Sequence, residues 1–253
     1  MKKTILLVPF LAVGVAFATG ANGGTTVEGQ NAIGILEVAA SSKPTTVLLS
    51  VPFAGYGAAT NDLKASELVA KETLPENTKL RVAAENVGDY YTWNLESGTD
   101  GKTWVPVNSV NIGKDGMETD KGATPPADEV SVGRGNSFWL VLPPSSALGK
   151  ITLVGQQDAS QTSSIRLSAG KWNLVGNPGV ASFNVAEQIT NLTDGDQISV
   201  QSGTKGMLKI YRWNEKLTQN KWTCGREAVN AITLAPGDGC WIYVQNVNAA
   251  LNF

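Results

Sequence analysis

The sequence predicts an all-β protein built from two related β-rich units, small sandwiches or open barrels, each with one short helix. Three observations predict it. Short runs of alternating apolar and polar residues, rich in β-branched side chains, recur along the chain. Turn-forming glycine and proline (27 and 11 of 253 residues) interrupt it too often for a helical bundle. The second half repeats, in order, the apolar and aromatic landmarks of the first.

The N-terminus reads as an export signal. Lys2 and Lys3 precede an uncharged apolar run over 5–17, and Ala16-Phe17-Ala18 supplies a small-x-small cleavage pattern. Residues 1–18 are therefore expected to be a signal peptide, and the chain to be exported to the periplasm, the cell surface or the extracellular space. The run falls short of the roughly 20 residues of a membrane span. No later segment is apolar enough to span, so no transmembrane segment is expected after cleavage. Removing 1–18 takes away two lysines and no acid, leaving 18 basic and 22 acidic residues. That mild acidity argues against nucleic acid as a partner, because phosphate binding needs clustered Lys and Arg.

The first unit is expected over 25–155. Ile33-Gly34-Ile35-Leu36-Glu37-Val38 reads as a strand, and Val47-Leu48-Leu49-Ser50-Val51 is an apolar segment that runs into Pro52. Residues 61–72 read as a helix, with Leu63, Leu68 and Val69 towards one side and Asn61 or Asp62 as N-cap. Phe138, Leu140 and Leu142 alternate with Trp139 and Val141, and Ile151-Thr152-Leu153-Val154 follows as a further strand. The polar run 156–164 reads as the boundary. The second unit is expected over 163–253. It opens on Ile165-Arg166-Leu167 and carries a shorter helical segment over 182–190, with Ser182 as cap.

The landmarks match as follows. Val47 to Pro52 corresponds to Asn173 to Pro178. Leu74-Pro75-Glu76-Asn77-Thr78 corresponds to Leu192-Thr193-Asp194-Gly195-Asp196. Tyr91-Thr92-Trp93-Asn94 corresponds to Tyr211-Arg212-Trp213-Asn214, Trp104 to Trp222, and Gly135-Asn136-Ser137-Phe138-Trp139 to Gly237-Asp238-Gly239-Cys240-Trp241. The offset drifts from 126 to 102, as expected when loops vary and strands do not. Its largest change, 16 residues, falls between Trp104 and Trp139. Residues 107–130 are therefore expected to form a long surface loop peculiar to the first unit.

Two stretches resemble known sequences. Trp172-Asn173-Leu174-Val175-Gly176-Asn177-Pro178 and Pro236-Gly237-Asp238-Gly239-Cys240-Trp241-Ile242 resemble a β-rich module of exported bacterial surface proteins, which opens on G-W-N-L-hydrophobic and closes on P-G-x-G-aromatic-W. Residues 34–38 leading into 46–52 resemble the start of an uncharacterised family of exported bacterial proteins. The resemblance implies export and a duplicated module. It implies no catalytic residue.

The absence of histidine removes Ser-His-Asp and Cys-His nucleophile systems and His-ligated zinc. Carboxylate pairs are the remaining catalytic option, but Glu85 with Asp89, and Asp194 with Asp196, sit among turn residues. Asp115, Glu118 and Asp120 cluster in a glycine-containing loop without the ligand spacing of a calcium loop. Gly237-Asp238-Gly239 lacks the helix, Lys and Ser/Thr of a phosphate cradle and reads as a tight turn. Cys224 and Cys240, 16 positions apart in an exported chain, are expected to form a disulfide worth about 3 kcal/mol. The seven tryptophans, Trp93, Trp104, Trp139, Trp172, Trp213, Trp222 and Trp241, are expected to pack the cores, since six of them fall in matched pairs.

The expected function is therefore that of a non-catalytic structural or binding protein of the cell envelope or extracellular space, with no cofactor and no metal. A glycan or another envelope protein is the expected kind of partner. Glycan binding through exposed aromatic side chains, the indoles or Tyr56, Tyr90 and Tyr243, is one alternative; a carboxylate-dependent polysaccharide hydrolase or lyase is another.

Overall fold

The computed structural model describes residues 5–9, 32–39, 46–54, 62–84, 88–112, 117–143, 150–157, 164–202, 207–219 and 221–253. Most of the 1–18 segment, Tyr56, Glu85 and Asp115 lie outside the described residues. Among those described, no helix is long and apolar enough to cross a membrane.

The first half contributes β1 (Ile5–Pro9), β2 (Ala32–Ala39), β3 (Thr46–Ser50), β4 (Leu63–Lys64), β5 (Lys79–Ala83), β6 (Asp89–Gly98), β7 (Gly101–Ile112), β8 (Glu118–Ala123), β9 (Ser131–Val132), β10 (Ser137–Val141) and β11 (Lys150–Gln157). The second contributes β12 (Ser164–Arg166), β13 (Lys171–Gly176), β14 (Phe183–Asn184), β15 (Ile189–Thr190), β16 (Gln197–Ser202), β17 (Met207–Trp213), β18 (Trp222–Cys224), β19 (Glu227–Val229), β20 (Thr233–Leu234), β21 (Gly239–Val244) and β22 (Ala250–Asn252). The fold is all-β, in several antiparallel sheets, none of which closes into a barrel among the described residues.

Each half is organised on a six-stranded sheet, ordered β3-β10-β5-β6-β7-β8 in the first and β13-β21-β16-β17-β18-β19 in the second. A smaller sheet accompanies each: β12-β22-β15 in the second half and β1-β2-β11 in the first, where edge strand β1 belongs to the expected signal segment and cleavage would leave the β2-β11 pair. Two cores fill the space between these layers. Phe53, Leu80, Trp93, Leu95, Phe138, Leu140 and Leu153 pack the first. Ile198, Trp222, Leu234, Ile242, Val244 and Leu251 pack the second.

The helical expectation for 61–72 needs correction. Leu63–Lys64 is a strand paired with β9, followed by two single-turn 3-10 segments, Ala65–Glu67 and Lys71–Thr73. Backbone donors that an α-helix needs are taken by neighbours. Ala65 N donates to the Val130 carbonyl (2.8 Å), Ser66 N to that of Ala127 (3.2 Å), and Ala70 N to that of Thr152 on β11 (2.9 Å). In the second half the same place holds one short helix, α1 (Val185–Gln188). The long surface loop also needs correction. Most of the extra length in 107–130 extends the β7–β8 hairpin, whose counterpart β18–β19 is three residues on each side.

The halves meet along a seam of backbone contacts. Ser50 N donates to the Gly237 carbonyl (3.1 Å), and Gly176 N donates to that of Gly135 (2.8 Å). By the sequence correspondence these are one contact made twice, in opposite directions. Isolated bridges Leu49–Asp238 and Asn136–Val175 flank them with the same reciprocity. Gly135 and Gly237 both sit at φ +81°, at turns that only glycine occupies without strain. The approach is too close for side chains: a Cβ on Gly176 would lie 2.4 Å from Ser50 Cβ and 2.7 Å from the Asp238 carbonyl. Ser137, where the second half has Gly239, uses that space to donate its hydroxyl to the Val175 carbonyl (2.6 Å).

The expected Cys224–Cys240 disulfide is absent, and both cysteines are free. Cys224 lies on β18 and Cys240 on β21, with β16 and β17 between them. Three strand spacings of about 4.8 Å separate them, roughly twice the Cα limit of about 7 Å for a disulfide. Export chemistry argued for pairing, and sheet order forbids it. Burial pushes the Cys240 thiol well above the usual range, with Asp238 adding to the effect, so it stays protonated and unreactive. In the folded protein a maleimide is expected to label Cys224 ahead of Cys240, and intact mass is expected to show two free thiols. Loss of two hydrogens on mild oxidation of the monomer would contradict this.

Candidate functional site: a cleft between the two sheets

Beside the seam the outer faces of the two large sheets enclose a cleft of about 880 Å³. Strand pleating places its base. Trp139 lies between Phe138 and Leu140, both fully buried, so it points to the opposite face of its sheet. Trp241 is held the same way between Cys240 and Ile242. The two indoles meet across the seam, ring centroids 5.1 Å apart and planes at 45°.

One wall comes from the first half. Arg81 stands opposite Trp139 in the β5–β10 pairing, and Tyr90 opposite Ala83 in the next. Burial raises the Tyr90 phenol pKa despite the hydrogen bond from Trp139 and the nearby Arg81 charge, so the group stays a neutral donor and acceptor. Two register shifts, at Tyr90/Thr92 and Asn108/Val110, bend the β6–β7–β8 hairpin. Ile112, at the end of β7, and Glu118, at the start of β8, line the cleft. Glu118 Oε1 there meets Arg81 Nη2 at 2.5 Å. The other wall is Trp172, Leu174, Ser199 and Ile210. Trp172 is 42% exposed and Ile210 43%. Trp172 leans on Tyr243, with centroids 5.6 Å apart.

The expected core tryptophans divide. Trp93, Trp104 and Trp222 are buried, and Trp93 donates its indole N–H to the Pro125 carbonyl (2.8 Å). Trp213 is half-buried, packed at 5.3 Å against Trp222 with the Lys221 ammonium over its ring. Trp139 and Trp241 are half-buried at the cleft, and Trp172 is exposed in it. The assignment of these three to the core is thus corrected: all three lie on sheet faces turned away from the cores.

The carboxylates weighed from the sequence are spread through the fold. Asp196 is fully buried and accepts from Thr193 N (2.9 Å) and Gln245 N (2.9 Å), which locks a turn. Asp194 accepts from Glu215 N (3.1 Å). Asp120 is held by Asn108 and Gly122 N. Among the described residues no three His, Cys, Asp or Glu side chains converge as a metal site. Two acids line the cleft, Asp89, which accepts from Asn111 (2.7 Å), and Glu118. Both are on the first-half wall, and the described residues of the facing wall bring no carboxylate. Opposed acids flanking a scissile bond, which glycoside hydrolysis needs, are therefore not assembled here among the described residues.

Sequence reasoning missed Arg81 and Ile210 as lining residues, whereas Tyr90, one of the three tyrosines weighed for ligand binding, does line the cleft. The signal for Arg81 was available: Leu80 and Val82 alternate around it, which turns it out of the core and towards whatever Trp139 faces. No known protein family, curated protein or solved structure matches the chain.

Proposed function

We propose that this chain is an exported, non-catalytic binding protein of the cell envelope or extracellular space that holds a glycan in the cleft between its two halves. The observation that carries the reading is the convergence of Trp139, Trp241 and the exposed Trp172 on one cleft of about 880 Å³. Flat indole faces stack on the apolar faces of sugar rings, and the volume falls within the roughly 300–1,000 Å³ of small-ligand sites. Ser199, Arg81 and Tyr90 supply hydrogen-bonding groups around the indoles. Lys2, Lys3 and the small-x-small pattern at Ala16-Phe17-Ala18 support export, and the resemblance to exported surface modules agrees with it. Placement of both cleft acids on one wall supports the non-catalytic reading.

The matched strand orders and the reciprocal seam support descent from a duplicated unit. The extended β7–β8 hairpin is then the feature that makes one wall differ from the other, and its role is to build the cleft. Trp172→Ala is expected to weaken glycan binding about five- to tenfold while costing under about 1 kcal/mol of stability. Titration calorimetry against soluble polysaccharides, with urea unfolding alongside, checks both. No heat from any polysaccharide with the parent chain would refute the reading.

A further inference from the structure

We propose that the cleft selects sugars bearing a carboxylate, that Arg81 is the group that takes it, and that Glu118 occupies Arg81 until such a ligand arrives. The proposal rests on the glycan reading of the same cleft. Three observations lead to it.

Arg81 is a guanidinium with unused capacity. Its side chain is only 8% exposed, its Nη2 meets Glu118 Oε1, and its buried Nε has no hydrogen-bond partner. The Nε/Nη2 edge of a guanidinium fits both oxygens of a carboxylate side by side. Glu118 fills one of those two positions, and a buried N–H left unmade costs free energy that a better-placed carboxylate recovers.

Glu118 is the replaceable partner. It is 45% exposed, against 8% for Arg81. It opens β8, an edge strand on which every residue is exposed. Few apolar contacts hold such a segment, so it opens at low cost. Arg81 is anchored in β5, inside the six-stranded sheet.

Stacking and charge recognition stand side by side. Arg81 and Trp139 are cross-strand partners, which places their Cβ atoms about 5 Å apart on one face. A hexuronate lying on the indole carries its carboxylate at the ring edge, outside the stacked face, where the guanidinium stands. The facing wall adds Arg166, bonded through Nη2 only at 3.4 Å to the Val247 carbonyl. Asp89, the other acid of the cleft, is already bonded to Asn111.

Titration calorimetry of the mature full chain with oligogalacturonate and alginate oligomers, each beside its methyl ester, tests the proposal. The acid forms are expected to bind at least about tenfold tighter than the esters. Glu118→Gln removes the competitor and is expected to raise that ratio several-fold, whereas Arg81→Gln is expected to bring it towards one. A merely structural Glu118 would not move the ratio upward. Equal binding of acid and ester, with a ratio unmoved by Glu118→Gln, overturns the carboxylate proposal and leaves the glycan reading standing. Binding of neutral oligosaccharides alone does the same. If no oligosaccharide of any class binds, both fall. Should Arg81→Gln fail to fold, the exposed Glu118 variant still decides.

Discussion

Trp93→Ala is expected to destabilise the chain by about 3–5 kcal/mol, the largest single-residue effect here. Its ring is fully buried between the layers of the first half, and its indole N–H satisfies the Pro125 carbonyl. Truncation leaves both a cavity and an unpaired buried acceptor. Urea unfolding measures the loss. Trp172→Ala, on the same scale, is expected to cost a small fraction of it. Equal costs for the two would mean that the exposed indole is structural after all.

The second large effect is expected at the seam. Gly176→Val places a side chain 2.4 Å from Ser50 Cβ and 2.7 Å from the Asp238 backbone oxygen. Neither can yield without disturbing the reciprocal hydrogen bonds: Ser50 closes β3 and donates its N–H to the Gly237 carbonyl, and the Asp238 oxygen accepts from Asn177 N. Overpacking of this kind costs about 1–3 kcal/mol and here forces the halves apart. Small-angle scattering is expected to show a larger radius of gyration, and the single unfolding transition is expected to split in two. Gly179→Ala, where a Cβ meets nothing closer than 3.8 Å, is the matched control and is expected to leave both readouts unchanged. Wild-type dimensions and cooperativity in Gly176→Val would show that the seam does not hold the halves together.

All-β architecture was legible because the periods of residues 138–142 and 151–154 are those of strands, and because turn residues punctuate the chain at short intervals. The disulfide failed because sequence separation carries no strand order: Cys224 and Cys240 are near in the chain and three strands apart in the sheet. The helix over 61–72 failed because β9, β11 and the 127–130 turn compete for its amide donors, and they are distant in sequence.

The tryptophans are more instructive. An indole repeated at one place in each half suits a core, but it equally suits a contact where the two halves face each other. The alternation of Trp139 with Phe138 and Leu140 already distinguished these cases, and that of Trp241 with Cys240 and Ile242 did so again. A ring out of phase with its core neighbours belongs to the other face. What no pattern within one strand reveals is the meeting of Glu118 with Arg81, which stand on different strands of the sheet.

The most direct test is the indole N–H spectrum of the ¹⁵N-labelled mature chain, titrated with acidic and neutral oligosaccharides. Seven indole signals are expected, each assigned by a Trp→Phe variant. Ligand is predicted to shift Trp139, Trp172 and Trp241 while Trp93, Trp104 and Trp222 stay in place. A spectrum that no oligosaccharide moves, or one in which the buried rings shift and the cleft rings do not, would contradict the assignment of this cleft as the binding site.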